Sequence, residues 1–268
     1  MIVGFSHLTL HCTNIDAAMP LVAPWGYTLD FQQRDVVNPE GKHGLLSTWH
    51  PRMHIALFRS PRVLPVELVE YPNFSGQGLS ALEPIIMGRG IDAAADNPVG
   101  TAIGQYFKSP QSAVPRRDQF NTRLWFLNAP DARSGIVGLV HRTRDFEAAV
   151  GFWEKLSGRK AARPDAAGNV AYTGYFSPIA ALSLPVIVTE DPAFPHHRTT
   201  LDNPGTTVLS FTCSNVERAR AAVNPGEALP TTGIFEVCIN GKDLRLEIIE
   251  AHPGVFIELL QALPKRSA

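Results

Sequence analysis

The sequence has few cysteines and no excess of charge of either sign. Its 268 residues include three cysteines, Cys12, Cys213 and Cys238, which are too few and too scattered for a disulfide framework or a zinc knuckle. The formal net charge is −1, with acidic and basic residues mixed along the chain. A nucleic-acid or anionic-membrane surface would need a basic excess. We therefore expect neither nucleic acid nor membrane as a partner.

Long apolar runs and several catalytic motifs are also absent from the sequence. No segment approaches the length of a membrane span, and no basic-then-apolar leader stands at the N-terminus, so we expect a cytoplasmic protein. No Walker-type loop, no GxGxxG after a strand and no GxSxG elbow occurs. This argues against nucleotide-dependent and serine-hydrolase chemistry.

The segment Gly4–Gly26 contains the pattern on which the interpretation rests. Apolar and polar residues alternate up to Cys12 and then take helical spacing after Asn14, which predicts a strand followed by a helix. Asn14 is a suitable N-cap, and Pro24 with Gly26 ends the helical pattern.

The same pattern recurs later in the chain. It reappears at 136–158 and at 207–223, and Asp145 follows Asn14 by 131 residues while Asn215 follows Asp145 by 70. Since the first interval is nearly twice the second, a further copy is expected between them, and Gly90–Ala94 lies about where its cap would fall. Four copies, or three copies and an insertion, both fit the spacing.

Strand-like segments follow each helix. After the first helix they are Tyr27–Asp35, Gly44–Trp49, Met53–Arg59 and Val66–Tyr71. In Val66–Tyr71 the alternation sends Glu67 and Val69 to one face and Leu68 to the other. Near the C-terminus, Asn240-Gly241 is the strongest hairpin signal of the sequence.

These patterns predict an α+β fold of tandem βαβββ units. We place two units in an N-terminal half, residues 1–130, with the second unit degenerate, and two in a C-terminal half, residues 131–268. One unit cannot bury both sides of its sheet alone, so the units must pair. Each half is predicted to form a curved mixed sheet with its helices outside.

Repeats of strand, helix and three strands resemble the vicinal oxygen chelate superfamily, which includes glyoxalase I, extradiol dioxygenases and the bleomycin-resistance proteins. The resemblance covers most of the chain at the level of pattern. It implies that paired units form a cup and that a divalent metal (Zn, Ni, Mn, Fe or Co) is held by residues of the first and last strands of the units.

Transferred to this sequence, the resemblance selects His7 in FSHLTL as a first-strand ligand and Glu67 in VELVEY as a last-strand ligand. In the second unit, alignment of the caps places Glu83 opposite His7, as a possible third ligand. Only Glu258, in FIELLQ, keeps a ligand-type residue in the last two units, where Gly138 and Val208 occupy the first-strand positions. The resemblance thus implies that a metal site lies in the first half.

Each of these residues also has an ordinary structural interpretation. A histidine on an alternating strand is commonly a hydrogen-bonded core residue, and Glu67 by itself would be a solvated strand carboxylate. Three further histidines lie between His7 and Glu67 and are candidates for the cup as ligand, base or substrate contact, or else belong to the surface. They are His43, His50 and His54.

By resemblance, the expected function is that of a metal-dependent lyase, isomerase or dioxygenase acting on a small molecule with vicinal oxygens. In that case Glu67 is either a metal ligand or the base that moves a proton. The alternative is a metal-free small-molecule-binding protein of the bleomycin-resistance type. A scaffold that binds another chain is a third possibility, and a homo-oligomer is compatible with all three.

Overall fold

The structure is a computed structural model of the chain. It describes residues 1–61, 63–72, 80–88, 97–109, 111–117, 120, 122–128, 134–164, 169–177, 182–194, 199–203, 205–223 and 230–264. No helix in these ranges is both long and apolar enough to cross a membrane.

An eight-stranded mixed sheet is built from the two ends of the chain. Its elements from the N-terminal end are β1 (Ile2–Cys12), α1 (Ile15–Val22), β2 (Thr28–Val37), β3 (Arg52–Arg59) and β4 (Val66–Glu70). Those from the C-terminal end are β11 (Thr207–Cys213), α4 (Val216–Val223), β12 (Phe235–Ile239), β13 (Lys242–His252) and β14 (Val255–Ala262). We call these two groups unit 1 and unit 4. The strand order is β12-β13-β14-β11-β1-β4-β3-β2, so antiparallel β1 and β11 join the two units at the centre.

A six-stranded sheet is built from the middle of the chain. Unit 2 comprises β5 (Leu82–Gly88), α2 (Pro98–Tyr106), β6 (Val114–Arg117) and β7 (Arg123–Asn128). Unit 3 comprises β8 (Gly135–Thr143), α3 (Phe146–Ser157), β9 (Val170–Ser177) and β10 (Leu182–Glu190). The strand order is β6-β7-β5-β8-β10-β9, and antiparallel β5 and β8 join the units.

The α+β fold with two curved mixed sheets is confirmed, but the sheets do not follow the predicted halves at residue 130. Each sheet takes strands from both sides of that boundary, because unit 1 pairs with unit 4 and unit 2 with unit 3. Units 2 and 3 show two strands after the helix in the described ranges, where three were expected. The cap sequence Gly90–Ala94 lies outside the described residues, and the helix of unit 2 begins at Pro98.

The local predictions around the first helix agree with the structure. Asn14 caps α1 by accepting a hydrogen bond from Ala17 N at 2.9 Å, and Gly26 adopts the left-handed conformation that ends this region, with φ of 84°.

The strand expected at Gly44–Trp49 is absent. The segment Glu40–Leu45 is a 3₁₀ helix instead, since Pro39 and two glycines favour a turn over a strand.

The main core lies on one face of the eight-stranded sheet and contains residues from both sheets and from α1, α3 and α4. Alternation assigns the two faces of β1: Leu8 and Leu10 belong to this core, while His7 lines a cavity on the opposite face. The same alternation sends Leu68 of β4 to the core and Glu67 to the cavity. The sheet therefore has one apolar face and one face that carries polar side chains.

Candidate active site

Four neighbouring strands place four polar side chains at one point of the eight-stranded sheet. Strands β14, β11, β1 and β4 are consecutive in its centre. His7 on β1 is directly opposite Ser210 on β11, and Ser210 is opposite Glu258 on β14. Glu67 on β4 is opposite Thr9, two residues from His7. These are first-strand and last-strand positions of units 1 and 4, so the site lies at the seam between the two ends of the chain.

The side chains of the four residues are in direct contact. His7 Nε2 lies 3.3 Å from Glu67 Oε2 and 3.4 Å from Glu258 Oε2. Ser210 Oγ lies 3.0 Å from His7 Nε2 and donates a hydrogen bond to Glu258 Oε2 at 2.5 Å. Thr9 Oγ1 donates to Glu67 Oε2 at 2.9 Å. The imidazole is therefore held between two carboxylates, each supported by a hydroxyl group.

This arrangement is buried, and only 6% of His7 is exposed. The charges of the side chains nevertheless stabilise it. Burial alone would lower the pKa of His7, but the charge of Glu67 and the hydrogen bonds to both carboxylates raise it from 6.5 to about 10. Burial alone would raise the pKa of Glu67, but the charge of His7, with hydrogen bonds from His7 and Thr9, lowers it below 4.5. At neutral pH the site is an imidazolium beside ionised Glu67.

A cavity is lined by His7, Glu67 and Glu258. Its enclosed volume is ≈ 160 Å³, and a wider mouth opens to solvent. Both units contribute apolar walls: Phe31, Met53, Ile55, Leu57 and Val69 from unit 1, and Phe235, Val237, Ile239, Leu244, Leu246 and Leu260 from unit 4. An apolar cup with a small charged group at its base is the arrangement expected for a binding or catalytic site.

Glu83 does not join this group, contrary to the alignment of the caps. It lies on β5 of the six-stranded sheet, where Trp125 Nε1 donates to its Oε2 at 2.7 Å and Arg142 Nη1 to its Oε1 at 3.0 Å. Both carboxylate oxygens are therefore occupied by structural partners. The carboxylate that joins His7 and Glu67 is Glu258, and the site is shared by units 1 and 4 instead of lying in the first half.

The three additional histidines lie near the cavity but do not line it. His43 stacks on Trp49 at 3.8 Å between ring centroids. His50 Nε2 lies 3.7 Å from Asp202 Oδ2, and His54 Nδ1 accepts from Asp35 N at 3.1 Å. Each ring thus has a local structural partner, which is the ordinary interpretation of these residues.

Ser210 is a site residue that the sequence analysis missed. Counting back from the helix cap by the spacing of His7 from Asn14 selected Val208, and this count passes over Ser210. Ser210 is the counterpart of Thr9: each lies opposite the glutamate on the last strand of its unit and donates a hydrogen bond to that carboxylate. Aligning Thr9-Leu10-His11-Cys12 with Ser210-Phe211-Thr212-Cys213, and asking what the hydroxyl groups contact, would have found it.

A preformed metal centre is not evident in the described part of the chain, where no group of three or more His, Cys, Asp and Glu side chains is arranged as one. The group at His7 instead forms a closed set of ion pairs and hydrogen bonds. Its donor atoms, one imidazole nitrogen and two carboxylate oxygens, are nevertheless of types that bind Zn, Mn, Fe, Co or Ni.

Comparison with solved structures shows that this fold is similar to that of glyoxalase I. Glyoxalase I from Zea mays matches over 96% of this chain and 92% of its own, with a TM-score of 0.53 and 15% identity. A variant of the same enzyme gives a TM-score of 0.56 at 14% identity, with the same coverage of both chains. A putative dioxygenase from Bacillus subtilis matches over 98% of this chain and 86% of its own, with a TM-score of 0.54 and 12% identity.

Comparison by sequence gave no further relatives. No family model matches the chain, and neither does any curated protein. At 12 to 15% identity the structural likeness establishes the fold; the chemistry has to be argued from the residues of the site.

Proposed function

We propose that this protein is a glyoxalase- or dioxygenase-like enzyme for a small molecule with vicinal oxygens, and that His7, Glu67 and Glu258 hold one divalent metal ion. The observation that carries the proposal is the convergence of these three side chains at the base of an apolar cavity. The fold is shared with glyoxalase I.

The distances between the donor atoms support metal binding. In a tetrahedral site with bonds of about 2.0–2.1 Å, the ligand atoms are roughly 3.3–3.4 Å apart. The Nε2 atom of His7 lies 3.3 Å and 3.4 Å from the two carboxylate oxygens. Replacement of the imidazolium proton by a divalent cation would keep His7 Nε2 at a ligand-like distance from each carboxylate, and the cation would neutralise both carboxylates, which a single imidazolium does not.

The residues around the site suggest how substrate is handled. A bound divalent cation supplies Lewis-acid polarisation of a carbonyl or enolate oxygen. Ser210 Oγ orients Glu258 through their hydrogen bond, and Glu67 is the group proposed to take a proton from the substrate. The apolar walls of the cavity bind the hydrocarbon part of the substrate and exclude water from the charged base.

Metal-free binding is the second candidate, and a specific observation favours it. A proton on His7 is sufficient to hold the three side chains together without a metal ion. The raised pKa of about 10 keeps the imidazole charged between Glu67 and Glu258. In this case the cavity would bind an apolar ligand without transforming it.

Metal analysis of untagged protein separates the two candidates. The enzyme proposal predicts about one equivalent of a transition metal by elemental analysis, or one equivalent bound on titration of the chelator-treated protein. His7→Ala should lose this metal, and His54→Ala, a histidine of the same sheet outside the cavity, should keep it. Absence of metal from the wild-type protein after titration, or equal binding by His7→Ala, would overturn the proposal.

A further inference from the structure

A buried lysine lines the same cavity and has no role in the proposed metal site. Lys42 belongs to the 3₁₀ helix Glu40–Leu45 and is 8% exposed. Its Nζ donates to the sulfur of Met53 at 3.5 Å and lies 6.0 Å from the centre of the Tyr71 ring. Among the described residues no carboxylate lies within 4.0 Å of Nζ. The amine is thus surrounded by a thioether, an aromatic face and the cavity.

The surrounding structure holds this lysine in place. Lys42 N donates to Pro39 O at 3.0 Å, and Leu45 O accepts from Leu201 N at 2.8 Å. At Gly41 the chain passes so close to unit 4 that an added Cβ would lie 2.3 Å from Thr232 O. The segment that carries Lys42 is therefore held against the C-terminal part of the chain at Leu201 and Thr232, so the amine has a defined position in the cavity.

The environment of Lys42 shifts its protonation equilibrium towards the neutral amine. Burial lowers the pKa of Lys42, and the charges of Glu258 and Glu67 offset this only in part. An unpaired ammonium ion in an apolar site is costly, whereas a neutral amine is tolerated there. The neutral amine is also the nucleophilic form, and a lysine desolvated in this way is suited to attack a carbonyl group.

We propose that Lys42 is a second reactive group of this cavity, which forms an imine with an apolar aldehyde or ketone. The nitrogen lone pair attacks the carbonyl carbon, and the C=O π electrons move to oxygen, which takes up a proton. Loss of a proton from nitrogen gives the neutral carbinolamine. Loss of water, with departure of the remaining N–H proton, forms the C=N bond. Amine and carbonyl compound thus give imine and water, with no oxidant or reductant.

The cavity contains what this reaction needs. Glu67 and Glu258 line it together with Lys42 and can accept and return the protons. Its apolar walls select a carbonyl compound with a hydrocarbon substituent. The step requires no metal, so it goes beyond the proposed function and can be tested separately from it.

Lys242 provides a matched internal control. It lies at the start of β13 and lines the same cavity, but its side chain is exposed to water. Any aldehyde that enters the cavity therefore meets one buried lysine and one hydrated lysine. A general reactivity of lysine would modify both.

The experiment is reductive trapping in the presence of EDTA, which removes any dependence on metal. Wild-type protein is incubated at pH 7 with benzaldehyde and sodium cyanoborohydride, and modified lysines are located by peptide mass spectrometry over time. We expect Lys42 to be alkylated several-fold faster than Lys242, since burial lowers the pKa of Lys42 and so raises its fraction of neutral amine. Lys42→Arg should abolish the fast modification, and Lys242→Arg should leave it unchanged. Lack of modification at Lys42 in the wild-type protein, or modification no faster than at Lys242, would overturn the proposal.

Discussion

Replacing His7 by glutamine removes the positive charge between Glu67 and Glu258, and the cost should depend on pH. In metal-free protein the raised pKa of His7, from 6.5 to about 10, corresponds to about 5 kcal/mol of stability. Breaking a buried ion pair by removing one partner typically costs about 3–5 kcal/mol. We therefore expect His7→Gln to lower the free energy of unfolding by about 3–5 kcal/mol near pH 6.5.

The direction of the pH dependence follows from the folded state, which binds the His7 proton more tightly than the unfolded chain. The contribution of His7 is complete below pH 6.5 and is lost as the pH rises towards about 10. The advantage of wild type over His7→Gln should thus shrink by about 1.4 kcal/mol per pH unit, or by about 2–3 kcal/mol between pH 7 and pH 9. The lowered pKa of Glu67 reports the same interaction and is not added.

Urea unfolding at pH 7, 8 and 9 in EDTA measures this difference directly. His54→Gln serves as the matched control, because this histidine lies on β3 of the same sheet and accepts a hydrogen bond from a backbone amide instead of contacting the site. A stability difference between wild type and His7→Gln that stays constant over this range would refute the assignment of His7 as an imidazolium held by two carboxylates.

Two further substitutions test the packing of the turn beside the cavity and the buried ion pair of the six-stranded sheet. Gly41→Ala places a Cβ 2.3 Å from Thr232 O and should destabilise the protein by about 1–3 kcal/mol in urea unfolding. Gly44→Ala is the control, because the space around its Cβ is open and no such loss is expected. Equal effects of the two substitutions would contradict the close approach of this loop to unit 4. Glu83→Gln weakens the buried pair with Arg142 and should lower the free energy of unfolding by about 3–5 kcal/mol, with no change in metal content. Loss of metal in this variant would show instead that Glu83 belongs to the metal site.

The local features of the site were predictable from the sequence. Alternation along VELVEY separated Glu67 from Leu68, and the structure has Glu67 at the cavity and Leu68 in the core, because successive side chains of a strand point to opposite sides. The cap at Asn14 is likewise a local hydrogen bond between residues three apart.

The long-range features were not predictable from local pattern. A repeated sequence pattern does not indicate which copies pair with each other. The pairing of β1 with β11, which brings Glu258 to His7, could therefore not be predicted from the sequence. Ser210 was missed because the search followed the His7 position, whereas Ser210 corresponds to Thr9, the hydroxyl group that supports Glu67. Lys42 gave no signal, since its burial depends on a turn packed against Thr232 of unit 4.

The most direct test of the central claim is an anomalous difference map from a crystal of untagged protein grown with Zn²⁺ or Co²⁺. Our account predicts one peak at the base of the cavity, within bonding distance of His7 Nε2 and of a carboxylate oxygen from both Glu67 and Glu258. A map with metal bound elsewhere but none at this point, or with the three side chains turned away from one another, would contradict it.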